Sequence, residues 1–223
     1  MNLDEVPPVI DVHPPHERIH GWRDFLLHLA TITIGLLIAL SLEGLVEWQH
    51  HRHLVHEAEA SLYAEIKSNE SGLESVLADV RNQQATLKQD VVVLDQLIKN
   101  PKSNNHQKMS IAYRIAGFDD VSWKTAQNTG ALAYMPYARA QEYAGIYSLQ
   151  DELEVAEKQG ARDAILSFGS FLNADVTDPA AATAQNQRRK QQIEVVQGQL
   201  LFVDSLVTAL DAEYKKFLAA HPE

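Results

Sequence analysis

Phe25-Leu-Leu-His-Leu-Ala-Thr-Ile-Thr-Ile-Gly-Leu-Leu-Ile-Ala-Leu-Ser-Leu-Glu-Gly-Leu-Val46 is the stretch on which the reading of this chain turns. No side chain from Leu29 to Leu42 carries a charge, and only His28 and Glu43 interrupt the apolar run at its edges. Wound as a helix rising ~1.5 Å per residue, it covers roughly 30 Å, the thickness of a bilayer's hydrocarbon. The expectation is a single N-terminal transmembrane helix, residues 21–48 with its flanks. Trp22 and Trp48 bracket it at the depth where interfacial aromatics sit. A cleaved signal peptide is the rival reading, and Ala39-Leu-Ser41 offers a small-x-small site. The length of the run, and the lack of any helix breaker after Ser41, favour an uncleaved anchor.

Orientation is less sharply written. Arg18 and Arg23 precede the run, whereas Arg52 and Lys67 follow it. The near balance leans toward a cytoplasmic N-terminus and a large outer domain, periplasmic in a bacterial inner membrane.

The remaining composition excludes several classes of function. The chain has 223 residues and a net charge of −11. From Glu57 onward, 23 acidic side chains stand against 16 basic ones, leaving −7 there. Such a surface repels phosphate backbones and anionic lipid, so neither nucleic acid nor a charged headgroup layer is an expected partner. There is no cysteine, which removes disulfides, thiolate catalysis and iron–sulfur clusters.

Outward from the apolar run the sequence reads as all-α. Residues 1–20 form an irregular Pro/His-rich tail, and residues 49–223 a helical bundle domain with long helices, punctuated by Pro101, Pro136 and Pro179. Ile66, Leu73, Val80, Leu87 and Leu94 recur every seven residues, a seam for packing with polar faults at Asn69, Gln83 and Gln84. Ser71-Gly72-Leu73-Glu74 resembles a capping box, but the seven-residue phase survives across it and favours a continuous helix. After the loop at 100–106 a short helix is expected, with Ile111, Ile115 and Phe118 on one side. Another would be capped by Asp119, Asp120 or Ser122 and end near Gly130, with Trp123 as a core anchor. A long helix from Pro136 to about Asn173 follows, closed by the loop 173–179. The last helix has the most regular pattern: Ile193, Val196, Leu200, Val203, Val207, Leu210, Tyr214 and Phe217 alternate in steps of three and four.

Candidate chemistry concentrates beside the anchor. Glu47, His50, His53 and His56 follow one another every three residues, and imidazole with carboxylate at that spacing can hold zinc, copper or iron. A di-iron bundle would need a second Glu-x-x-His and further glutamates on other helices, and the domain from residue 57 onward holds no second Glu-x-x-His. The competing account is that these side chains meet water and headgroups at the membrane edge. His28 could serve as an axial haem ligand if two copies pair. Thr31, Gly35, Ala39 and Glu43 line one helix face, the small-xxx-small pattern that lets membrane helices approach closely. His56-Glu57 opens like a zincin motif, but Ala60 stands where its second histidine is needed. No glycine-rich phosphate loop or nucleophile elbow is present, and Arg188-Arg189-Lys190 reads as a solvated helix start.

Ile34-Gly-Leu-Leu-Ile-Ala-Leu40 with Glu43, Glu47 and Trp48, together with Trp123-Lys-Thr-Ala-Gln-Asn-Thr-Gly130-Ala-Leu, resembles a group of uncharacterised bacterial single-pass membrane proteins. The resemblance implies an anchor followed by a helical domain and brings no activity. The sequence therefore leads to a membrane-anchored scaffold or interaction module that is not an enzyme. It would contact the lipid bilayer and associate with itself or another membrane protein, with no cofactor. The alternative is a metal- or haem-binding sensor or electron-transfer subunit built on the histidine cluster.

Overall fold

The computed structural model describes residues 21–101, 109, 113–172 and 178–222. The tail 1–20, most of the loop 100–106, Ile111 and most of the loop 173–179 lie outside them, as do the side chains of Phe168, Phe171 and Leu172. Every regular element among the described residues is helical: α1 Trp22–Lys99, α2 Val121–Asn128, α3 Ala131–Tyr134, α4 Tyr137–Leu172 and α5 Pro179–Ala220. The all-α expectation holds. Two of these helices, α1 and α5, are long and apolar enough to cross a membrane.

The chain divides into two compact units, residues 1–50 and 51–223. In the first, the α1 side chains from Phe25 to Val46 are exposed throughout among the described residues. Thr31, Thr33 and Ser41 donate their hydroxyls to the carbonyls of Leu27, Leu29 and Leu37, four residues earlier. These three hydroxyls are thereby satisfied by their own helix.

The second unit is a three-helix bundle. α5 runs antiparallel to α1: Lys190 meets Asp95 at 2.7 Å, the Gln84 amide donates to the Leu200 carbonyl at 3.1 Å, and the Tyr63 ring lies 6.5 Å from that of Phe217. α4 is antiparallel to α5, with Tyr214 donating to Gln150 and the ring of Tyr143 beside Phe217. Consequently α1 and α4 run parallel. The seam read from the sequence is the core: Ile66, Leu73, Val80, Leu87 and Leu94 are buried, as are all eight α5 positions from Ile193 to Phe217. α1 passes through Ser71-Gly72 without a break. At the start of α5, Asp178 accepts the Ala181 N–H and Pro179 occupies the first turn, where its missing donor costs nothing.

Two parallel helices cannot be joined by a short turn, and this explains the largest departure from expectation. Residues 113–120 form no helix. They make an extended strap that retraces α1, with the Arg114 N–H on Gln83 and, eight residues later, the Ser122 N–H on Glu65. The eighteen residue steps of α1 from Glu65 to Gln83 rise roughly 27 Å. Six extended steps and the first two of α2 cover about 23 Å, whereas eight helical ones would cover only about 12 Å. Ile115 is accordingly exposed and Phe118 half-buried, so they share no packed helical face. Arg189 also departs from the solvated start expected of the Arg188-Arg189-Lys190 run. It is buried, since Asn186 and Arg189 continue the α5 seam backward in the same three–four register.

Candidate functional site

The polar groups that break the bundle's apolar seams converge on the strap. Asn69 interrupts the α1 seam, and its amide both donates to the Asp119 carbonyl at 2.8 Å and accepts the Asp119 N–H at 3.0 Å. Gln150, on α4, donates to the same carbonyl and accepts the Tyr214 hydroxyl. Glu65 is buried on α1. One of its oxygens takes the Tyr147 hydroxyl at 2.6 Å and the other the Ser122 N–H at 2.7 Å. Glu65 therefore caps α2 from a distance, while Asp120, in the N-cap position, makes no side-chain cap and pairs with Lys124 at 2.5 Å. Trp123 stacks on Tyr147 at 4.9 Å, nearly parallel, and so anchors α2 to α4.

Farther along the strap, the Ala116 N–H is accepted by Glu157 at 2.9 Å. Glu157 is 1% exposed and its second oxygen has no hydrogen-bond partner among the described residues. Burial pushes its carboxyl up to about 7; the Ala116 N–H acts against that shift and the nearby charge of Glu154 adds to it. Tyr113 lies against Gly160, so close that a β-carbon there would fall 2.2 Å from the phenol oxygen. Any larger residue there would require the ring to shift. Burial, followed by the charges of Glu157 and Asp163, pushes the Tyr113 hydroxyl up to about 12. Tyr147 and Tyr214 are also raised, in both cases chiefly by burial.

The residues singled out from sequence are placed differently. Glu47, His50, His53 and His56 all lie on α1, where His53 pairs with Glu57 at 3.1 Å, both side chains largely exposed. Among the described residues, no three His, Asp or Glu side chains form a group that could hold a metal ion. His51, the first residue of the second unit, stacks its ring on Tyr134 at 3.6 Å. His28 directs Nδ1 at the Asp24 carbonyl 3.2 Å away, a contact it makes as donor. Thr31, Gly35, Ala39 and Glu43 are exposed, and nothing lies within 4 Å of a β-carbon built at Gly35.

Sequence reading named Asn69 and Gln83 only as faults and missed Glu65, Gln150 and Glu157. The signal was present: Tyr143, Ile146, Gln150, Leu153, Glu157, Gly160, Ala164 and Ser167 step by three and four, and all are buried. Searches against family models, curated proteins and solved structures found no match to this chain. The fold and site together define an all-helical protein whose bundle is closed by an extended, side-chain-bound strap.

Proposed function

We propose that this chain is a membrane-anchored helical scaffold, a protein-interaction module without catalytic activity of its own. The observation that carries the reading is the fully exposed apolar face of α1 between Phe25 and Val46, whose hydroxyls are already satisfied within the helix. Water disfavours such a surface by about 25 cal/mol per Å², and lipid does not. α5 passes the same length and composition test, but its apolar stripe is spent in the bundle core, so we assign one span, residues 21–48. The interior of the second unit supports a binding role over a catalytic one. Its buried Asn69, Gln150 and Glu65 are engaged by the strap's main chain or by tyrosine hydroxyls.

In this reading the bundle faces a bacterial periplasm from the inner membrane, and Thr31, Gly35, Ala39 and Glu43 form the face through which two anchors meet. Carbonate extraction of native membranes tests the anchor: the chain is expected to stay in the pellet, and its appearance in the supernatant defeats the proposal. Size measurement in detergent tests association. A particle of two or more chains, reduced to one by Gly35→Leu, is the expected result. A strictly monomeric wild type with no co-purifying protein counts against the scaffold.

A further inference from the structure

Glu157 is a carboxylate in an apolar seam, held from one side only. Oε1 accepts the Ala116 N–H, and Oε2 meets no donor among the described residues. Tyr113 and Ala116 are three residues apart on the strap, as Glu157 and Gly160 are on α4. The Tyr113 ring against Gly160 and the Ala116 amide on Glu157 therefore form a two-point clasp. The Tyr113 hydroxyl is likewise buried without a hydrogen-bond partner among the described residues.

The surrounding charges are mostly occupied with one another. On α4, Glu154 pairs with Lys158. Arg114 of the strap pairs with Asp79 of α1 at 3.1 Å, and Arg81 of α1 with Asp204 of α5 at 3.5 Å. None of these cations contacts Glu157, and the one charge that acts appreciably on it, Glu154, opposes its ionisation.

We propose that residues 113–120 are a proton-operated clasp, closed on α4 while Glu157 keeps its proton and released when Glu157 loses it. A neutral carboxyl still accepts the Ala116 N–H through one oxygen and carries no charge to be hydrated. An ionised one leaves an anionic oxygen in apolar surroundings, and lifting the strap is the direct way to admit water. The direction follows from the proton count. In the closed form the carboxyl titrates near 7, against an ordinary value of 4.5 when hydrated. Between those values the closed form binds more protons, so closure is tightest below about pH 4.5 and weakens as pH rises toward 7. From pH 5.5 to 7.5 the open population rises on the order of 20-fold for a single group titrating in this way.

The test is hydrogen exchange of the full-length protein in lipid nanodiscs, followed by mass spectrometry and corrected for intrinsic rates. Protection of the 113–120 segment is expected to fall by about that factor between pH 5.5 and 7.5. The α5 core segment 196–207 should change less than twofold. Glu157→Gln, neutral at every pH and still able to accept from Ala116, is expected to hold the strap protected and pH-independent. Glu154→Gln should move the wild-type midpoint to lower pH. A pH-independent wild-type strap overturns the proposal, as does a Glu157→Gln variant that keeps the wild-type response, or parallel loss of protection in α5. Should Glu157→Gln fail to fold, the wild-type profile and the Glu154→Gln midpoint still decide the matter.

Discussion

At Gly160 two opposing effects can be separated. Alanine is the better helix former by about 1 kcal/mol in a helix interior. Here its methyl would collide with the Tyr113 ring, and forcing a group into a packed site costs about 1–3 kcal/mol. Gly160→Ala alone should therefore be neutral to destabilising. In a Tyr113→Ala background the same change should stabilise by up to ~1 kcal/mol, and urea unfolding of the four-variant cycle reads the coupling. Asn69 offers a second contrast. Asn69→Leu completes the hydrophobic seam but leaves the Asp119 N–H without its acceptor, while Gln150 continues to serve the Asp119 carbonyl. A loss of up to ~1 kcal/mol is expected despite the added apolar surface, because the part-buried Asp119 N–H loses its acceptor. A stabilised variant would show that Asn69 merely tolerates the strap.

At the level of the element, α5 shows what periodicity reveals. Leu200 is 1% exposed and its neighbour Leu201 59%. Leu200→Ala should cost about 2–5 kcal/mol and Leu201→Ala less than about 0.5, measured by chemical denaturation. Adjacent leucines can be told apart from the sequence because the three–four register runs without interruption from Ile193 to Phe217. The strap was not legible in that way. Ile111, Ile115 and Phe118 suggest a helical face, but the helices' relative directions decide the matter, and these depend on Gln150, Glu157 and Asn69 lying in seams. A pattern search that scores only apolar residues discards those positions. α4 was located in outline yet its register was obscured by Gln150, Glu157 and Gly160. The histidines that follow the apolar run drew attention by residue type, whereas the groups that organise the bundle, Glu65 and Glu157, look like ordinary helix-surface glutamates until their spacing is counted.

At the scale of the whole molecule, the chain combines an apolar helix exposed along its described length with a helical bundle built around a buried apolar core. Replacing Leu36 with Arg should lower membrane insertion by about 2.5–3.5 kcal/mol, readable as the glycosylated or protease-protected fraction in a translocation assay. Unchanged insertion would point to a segment not held in hydrocarbon. The bundle's connectivity also has a temporal consequence. The α1 seam is made first, but one of its partners, the Leu200 carbonyl that takes the Gln84 amide, lies 116 residues later. At ribosomal rates of about 5–20 residues per second, that greasy ridge waits on the order of 10 s before α5 is synthesised. Nascent chains would spend this interval dependent on a holdase, and arresting translation between α4 and α5 should trap them in its grip.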